Sequence, residues 1–467
     1  MHRDVDVAIV GAGTAGLSAL SQVRKVTGNF VLINGGALGT TCARVGCMPS
    51  KAAIQVAEDF HRRGVLDRCG IEGGQALRLD VPEAMEHVRE LRDIFVDRVL
   101  AGSTDELGQD QLLEGYARFV EPNVLDVEGQ TIRAKRVVIA TGSCPYVPTE
   151  WERFGERILT TDHLFEQERL PESVAVIGLG VIGLEMGQTL HRMGVQVTGI
   201  DRLQTIGGLK DPAVSEAAAQ AIGSELPLWL GHEAQVEPGP DGRLRVSAGE
   251  HSVVVDKLLV SMGRVPNLQR LDLARLGVTL DERGIPAFDR ETMQVGELPV
   301  FIAGDATGER PILHEAGDEG RIAGYNAVHE PVARFRRKTP LAITFCDPTV
   351  ATVGSAWDEL DPERIAVGEM RLGPVGRALI MGKNKGMIRL YADRSDGRLL
   401  GAALAAPRGE DLAHLLAWST QQGLTAADLL KMPYYHPTIE EALQAALRDL
   451  RRNLGLQDEL PELERLA

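Results

Sequence analysis

Val5-Asp6-Val7-Ala8-Ile9-Val10-Gly11-Ala12-Gly13-Thr14-Ala15-Gly16 is the stretch on which the fold of this chain turns. Val5 to Val10 reads as a buried strand, and an Ala/Leu-rich helix follows the glycines to about Val26 before a second strand at Phe30 to Ile33. Strand, glycine-rich turn, helix and strand form a dinucleotide-binding unit. Gly11, Gly13 and Gly16 permit a tight turn and close pyrophosphate approach, and the helix start receives the charge. The glycine spacing alone is weak, but here it has the required context. The end of the second strand should carry an acidic residue for a ribose hydroxyl and instead holds Asn34. A neutral amide still bonds a hydroxyl, which weakens the contact without excluding the cofactor.

The unit recurs. Val174 to Ile177 is a strand, Gly178-Leu179-Gly180-Val181-Ile182-Gly183 a second glycine-rich turn, Leu184 to Met193 its helix, and Val195 to Ile200 the next strand. Asp201 ends that strand roughly twenty residues beyond Gly178, the spacing of a ribose-binding carboxylate. Asp201 favours NADH over NADPH, while Arg202 keeps the phosphate-bearing nucleotide open. Two units imply two dinucleotides exchanging electrons, most simply a held flavin and a diffusing nicotinamide. The bland alternative is a duplicated domain with one dead site.

Between the units the sequence predicts helices to about Arg63 and from Pro82 to about Leu100, then short strands at Leu112 to Phe119 and Asn123 to Val127. An apolar strand ending in Ala140-Thr141-Gly142 turns sharply enough to approach a cofactor. Val253 to Ser261 reads as one strand leading into Met262-Gly263-Arg264, and Pro299 to Ile302 leads into Ala303-Gly304-Asp305. Asp305 is placed to accept a ribitol hydroxyl bond, or to serve as an ordinary turn or cap. His314 to Gly320 starts a further helix. Beyond Thr339, strands at Val350 to Val353, Ala366 to Arg371, Met387 to Ala392 and Leu399 to Ala405, with helices near Glu410 to Gln422, Ala426 to Leu430 and Ile439 to Arg451, make an α+β module.

Thr40-Thr41-Cys42-Ala43-Arg44-Val45-Gly46-Cys47-Met48-Pro49-Ser50-Lys51 carries two cysteines beside a lysine. Residues five apart in a helix are separated by about 7.5 Å along its axis, whereas a disulfide needs Cα atoms within roughly 4.4 to 6.8 Å. If the two pair, both cannot lie in regular helix. Gly46 permits the irregular backbone, and Pro49 places Cys47 near a helix start, where amides and dipole favour a thiolate. Lys51 lies one turn further along. Two small buried residues remain the alternative reading. No second close cysteine or histidine pair completes a metal site.

A length of 467 residues suggests about three domains. The formal charge of -16 and the lack of a basic run argue against nucleic acid. No eighteen-residue apolar run would span a membrane, and Met1-His2-Arg3-Asp4 enters a strand without room for a signal peptide, so a cytoplasmic setting is expected. With only Cys42, Cys47, Cys69, Cys144 and Cys346, the chain is no disulfide-stapled scaffold.

Together, Cys42 to Lys51, His436-Pro437-Thr438-Ile439-Glu440-Glu441, Gly304-Asp305 and the two glycine turns resemble the class I pyridine nucleotide-disulfide oxidoreductases, and among them most closely the dihydrolipoyl dehydrogenases. The resemblance implies an α/β fold of two Rossmann-like domains and a C-terminal α+β dimerisation domain. The expected divisions are residues 1–147 for the first part of the FAD domain, 148–270 for the NAD(P) domain, 271–340 for the return to the FAD domain and 341–467 for dimerisation. It implies a homodimer whose sites combine the disulfide of one subunit with the histidine of the other. Cys47 would be the thiol beside the flavin, Cys42 the interchange thiol, and Lys51 would sit near the flavin and pair with Glu185. FAD would be bound by Gly11, Gly13, Gly16, Asn34, Thr41, Lys51, Thr141, Gly142, Gly304 and Asp305. NAD would be bound by Gly178, Gly180, Gly183, Asp201, Gly263 and Arg264. His436 is chemically suited to take a proton from a dithiol, oriented by Glu441. Thr438 to Glu441 is also a capping box, and the side chain of Glu441 is expected to serve one role or the other.

The implied function is oxidation of free or protein-bound dihydrolipoyl groups to the cyclic disulfide with reduction of NAD+, a part of cell redox homeostasis. The alternatives are an NAD(P)H-dependent reductase of another low-molecular-weight or protein disulfide, and, from a different class, a nonenzymatic lipoyl-protein binding subunit. Mercuric ion reduction is disfavoured because the last cysteine is Cys346 and no vicinal pair follows it. Departures from the family are Asn34, Thr14 and Thr40 around the flavin, and Tyr434-Tyr435 before His436.

Overall fold

His2–Val10 is the axis of the first sheet, pairing in parallel with Phe30–Asn34 on one side and Gln130–Ile139 on the other. Val5 and Val7 to Val10 are buried, as a strand covered on both faces requires. Gln130–Ile139 also takes Val300–Ile302 in parallel, with Ile139 opposite both Val10 and Ile302. That register brings three strand ends level. The turns that begin at Gly11, Ala140 and Ala303 therefore meet at one carboxyl edge, where doubly wound sheets bind ligands. The computed structural model describes residues 2–456, 461–464 and 466. Met1 of the expected first domain, and 457–460, 465 and 467 of the expected last one, lie outside the described residues.

The strand expected over Leu112 to Phe119 is two strands. Leu112–Glu114 pairs with Phe30–Asn34, while Ala117–Glu121 pairs with Val124–Val127 at the other end of the pairing order. The sheet curls back on itself here, and the sharp link is Gly115, at φ +142°, a conformation that favours glycine.

In the second sheet, Ser173–Ile177 lies between Gln196–Asp201 and Lys257–Val260, all parallel, with Leu228–Leu230 and Ile158–Leu159 outside them. Ile177 is opposite both Ile200 and Val260, so Gly178, Asp201 and Ser261 are neighbours at its carboxyl edge. The helix that follows, Val181–Arg192, starts earlier than the expected Leu184. The single strand expected over Val253 to Ser261 is also two. His251–Val255 joins a three-stranded antiparallel sheet, and Lys257–Val260 enters the parallel one. At the joint, Asp256 Oδ2 accepts hydrogen bonds from Ser173 N at 2.9 Å and Ser173 Oγ at 2.8 Å.

The C-terminal module is a five-stranded antiparallel sheet in the order Leu341–Thr344, Thr349–Gly354, Leu399–Ala406, Met387–Asp393, Ile365–Arg371. Gly409–Gln421 and Glu440–Asn453 pack against it. The expected four strands are present, and Leu341–Thr344 is a fifth. Its burial is only partial before Thr344, because Leu341, Ala342 and Ile343 line a cavity shared with the other sheets. Among the described residues no helix is long and apolar enough to cross a membrane.

Candidate active site

The two cysteines sit on either side of a break between helices. Thr41–Val45 is one short helix and Cys47–His61 the next, separated by Gly46 at φ -121°, ψ -115°. Cys47 is thus the first residue of its helix, and Pro49 falls in the first turn, where its missing N–H costs nothing. Thr40 caps the short helix, its hydroxyl oxygen accepting from Ala43 N at 3.2 Å. It does so at φ 63°, ψ 148°, a region essentially reserved for glycine and costly for a β-branched residue.

Both cysteines are free thiols, and they are unequal. A hydrogen bond from the Cys42 thiol is the largest influence on Cys47; with the Lys51 charge and the helix-start amide it outweighs burial and pulls Cys47 down to about 7. The same contact, with burial, pushes Cys42 up, so Cys47 is the more readily ionised of the two thiols. Lys51 Nζ lies 2.9 and 3.1 Å from the two oxygens of Glu185. Glu185 is only 4% exposed and comes from Val181–Arg192, so the pair joins the first nucleotide unit to the second. Phe345 N, from the C-terminal module, donates to Glu185 Oε1 at 2.8 Å.

A cavity of about 1380 Å³ runs along both nucleotide edges. Thr41, Cys42, Cys47, Lys51 and Glu185 line its middle, Gly13, Gly142, Gly304 and Asp305 one end, and Gly178, Gly180, Asp201 and Gly263 the other, while Arg264 lines it beside Asp305, 3.7 Å away. Gly11, Gly16, Asn34, Thr141 and Gly183 stand behind this lining. A Cβ on Gly11 would lie 2.2 Å from Ala140 O, and one on Gly16 would lie 1.8 Å from Gly11 O. These glycines let the turn pack against its own sheet, and the space in front of Gly13 stays open.

The first end fits a flavin dinucleotide on its own atoms. Thr141 Oγ1 is buried without a hydrogen-bond partner, a group that asks for one. Asp305 Oδ2 accepts from Ser143 Oγ at 2.6 Å, and Ser143 Oγ accepts from Arg264 Nε at 2.7 Å. Only the second oxygen of Asp305 is left for a ligand. Asn34 Oδ1 accepts from Ala12 N at 3.1 Å, and Asp201 Oδ2 accepts from Leu179 N at 2.6 Å. The amide and the carboxylate thus perform one identical task, pinning the second residue of each glycine turn.

His436 and Glu441 do not line this cavity. The His436 side chain is 82% exposed and its Nδ1 lies 2.9 Å from Glu441 Oε1. Glu441 Oε2 accepts from Thr438 N at 3.1 Å. The expectation that this carboxylate serves either the cap or the histidine is corrected: two oxygens serve two partners. The Thr438 hydroxyl donates instead to Tyr435 O, at 2.9 Å, so the reciprocal capping box is half formed. Sequence reasoning missed Ser143 and Phe345. Ser143 directly follows Ala-Thr-Gly and was within reach of that motif, whereas nothing local marks Phe345. Cys346 is buried and Cys69 and Cys144 are exposed, all outside the cavity lining.

Residues 5–320 match the family described as pyridine nucleotide-disulphide oxidoreductase, and residues 341–447 its dimerisation domain. The chain is 30% identical over 462 residues to the dihydrolipoyl dehydrogenase of Thermus scotoductus, a match covering 96% of this chain and 98% of that one. It is 28% identical over 453 residues to a mercuric reductase of Bacillus cereus, covering 96% of this chain and 71% of that one. The solved structure of RclA from Escherichia coli, an HOCl-induced flavoprotein disulfide reductase, has the same fold at a TM-score of 0.80 and 20% identity, covering 97% of this chain and 99% of that one.

Proposed function

The chain belongs to the pyridine nucleotide-disulphide oxidoreductase family, and from that premise we propose that it oxidises a dihydrolipoyl group, free or carried on a protein, to the cyclic disulfide and reduces NAD+. The observation that carries the dithiol direction is the His436–Glu441 pair. Glu441 accepts from Nδ1–H, which leaves Nε2 as the basic atom facing solvent. Its exposure suits a site completed by a second copy of the chain, for which the dimerisation domain provides.

In the proposed cycle His436 of one subunit removes a proton from a substrate thiol, and the thiolate attacks Cys42 in the Cys42–Cys47 disulfide of the other. The S–S bond breaks with Cys47 as leaving group, its charge held by the helix start and Lys51. The second substrate thiolate attacks the mixed disulfide, closes the substrate ring and releases Cys42. Two electrons have then moved from substrate to the cysteine pair. Bound FAD would supply the two-electron acceptor between that pair and the nicotinamide. Gly11, Gly13, Gly16, Thr141 and Asp305 would hold it, and Gly178, Gly180 and Asp201 would hold NAD.

Initial rates with the purified protein test the reading. Dihydrolipoamide with NAD+ should turn over faster than glutathione disulfide or Hg(II) with either reduced nicotinamide. NAD(P)H oxidation dependent on Hg(II), without dihydrolipoamide turnover, would replace the proposed substrate by the one named for the mercuric reductases.

A further inference from the structure

The Val181–Arg192 helix presents Glu185, Gln188 and Arg192 along one face, as positions three and four apart must lie. All three are buried, at 4%, 3% and 7% exposure, and all three meet one loop of the C-terminal module. Gln188 Oε1 accepts from Asp347 N at 2.8 Å and Gln188 Nε2 donates to Asp347 O at 2.9 Å, so one side-chain amide holds both sides of that residue's backbone. Arg192 donates to Asp347 Oδ2 at 3.1 Å and is itself held by Glu225 at 2.8 Å. Lys383 reaches the same Asp347 oxygen at 2.9 Å. The loop is thereby fixed two residues from Phe345, with little freedom left for that residue.

Phe345 acts on both members of the Lys51–Glu185 pair. Its N–H donates to Glu185 Oε1, and the face of its ring lies 4.6 Å from Lys51 Nζ, within the range of a cation–π contact. A lysine stem has four rotatable bonds, and an ion pair alone leaves its ammonium several ways to meet a carboxylate. The ring gives the ammonium a second contact to satisfy. We propose that Phe345 is a positioning residue for the Lys51 ammonium, its ring face and its amide together keeping that charge on the Cys47 side of the cavity. The proposal rests on the reading of Cys47 as the thiol that carries charge. The groups facing Cys47 are Cys42 from the preceding helix, Lys51 from its own and Glu185 from Val181–Arg192.

The test follows alkylation of Cys47 by iodoacetamide against pH in the reduced full-length protein, with the modified peptide quantified by mass spectrometry. Phe345→Leu and Phe345→Met keep the amide and apolar bulk and remove the ring. Each should raise the midpoint of Cys47 alkylation by about half a pH unit, while Phe345→Trp, which keeps a ring face, should restore it. Unchanged midpoints in Leu and Met, or an equal rise in Trp, would overturn the proposal. Lys51→Met is the reference. If it raises the midpoint and the Phe345 variants do not, only Phe345 loses its role; if it too leaves the midpoint alone, the charge-holding part of the proposed cycle fails with it.

Discussion

Replacing Glu441 by glutamine separates two tasks that one carboxylate performs. Oε1 is 2.9 Å from His436 Nδ1 and Oε2 is 3.1 Å from Thr438 N. Glutamine has one acceptor oxygen, so it serves the cap or the imidazole and presents an NH2 group to the other. The stability at stake is small. With His436 at 82% exposure its Nδ1–H bond to Oε1 contributes no more than the about 0.2–1 kcal/mol of an exposed ion pair, and an acceptor on a helix-start N–H about 1 kcal/mol. Glu441→Gln should therefore cost about 1 kcal/mol or less, and lower Tm by under about 4 °C.

The effect on rate is larger. A positioned general base contributes about 10²–10⁴-fold, so Glu441→Gln, which disturbs its tautomer and orientation, should lower kcat/KM for dihydrolipoamide by about ten- to a hundredfold. His436→Gln should lose the whole factor. The double variant should match His436→Gln alone, because groups that act as a unit are not additive. Steady-state NAD+ reduction measures all three. Wild-type kcat/KM in Glu441→Gln would reduce the carboxylate to a cap, and losses that multiply in the double variant would show that it acts elsewhere. The hydrogen bond from His436 is the main cause holding the Glu441 carboxyl below its ordinary value. Its stabilising contribution is then complete above the unfolded-state value of about 4.3 and fades as pH falls through the lower folded value. Urea midpoints of wild type and Glu441→Gln should converge in that acid range.

Three further outcomes follow from the geometry. Cys42→Ala removes the hydrogen bond that most lowers Cys47, so the alkylation midpoint of Cys47 should rise above about 7; Cys42→Ser, whose hydroxyl can donate, should raise it less, and both should abolish dithiol turnover while leaving cofactor content unchanged. Thr40→Gly relieves a backbone conformation that costs about 1–3 kcal/mol and loses a few tenths in cap strength; net stabilisation by urea unfolding is expected, and destabilisation would mean the threonine is not strained. Asp211 is fully buried and accepts from Arg389 at 2.8 Å and Tyr391 OH at 2.7 Å; Asp211→Ala leaves the Tyr391 hydroxyl without its acceptor and the largely buried guanidinium with Glu369, at 3.3 Å, as its remaining carboxylate, and should cost about 3 kcal/mol, against a value near zero if the pair were solvated.

What the sequence made legible is what local chemistry dictates. Gly11 to Gly16 and Gly178 to Gly183 are read because a turn, a strand before it and a helix after it are contiguous in the chain. Gly46 and Pro49 are read because glycine frees the backbone at its own position and proline restricts it. Apolar runs proved less reliable. Val253 to Ser261 is two apolar triplets around Asp256-Lys257, and its halves enter different sheets there, with Asp256 held by Ser173 some eighty positions away. Leu112 to Phe119 divides at Gly115 for a similar reason, since its halves are claimed by strands at opposite ends of the pairing order. Phe345 meets Glu185 across 160 positions, and no spacing rule connects the two. Glu441 fails differently: both of its roles were visible, and only coordinates could assign one oxygen to each.

The site has one property that none of its motifs announces. The charge beside Cys47 is assembled from three parts of the fold: Lys51 follows the first glycine unit, Glu185 lies on the helix of the second, and Phe345 belongs to the C-terminal module. Glu185 depends most on the others, because a buried carboxylate left without its ammonium is costly, whereas the Lys51 side chain, 34% exposed against 4% for Glu185, keeps access to solvent. A displacement of any one module is therefore felt at the thiol as a change in charge separation, and Coulomb energy at short range is steep enough to register fractions of an ångström. The buried face of Glu185, Gln188 and Arg192 gains its meaning here. It is more polar than packing alone would select, and its hydrogen bonds fix the distance between helix and loop where an apolar seam would tolerate sliding.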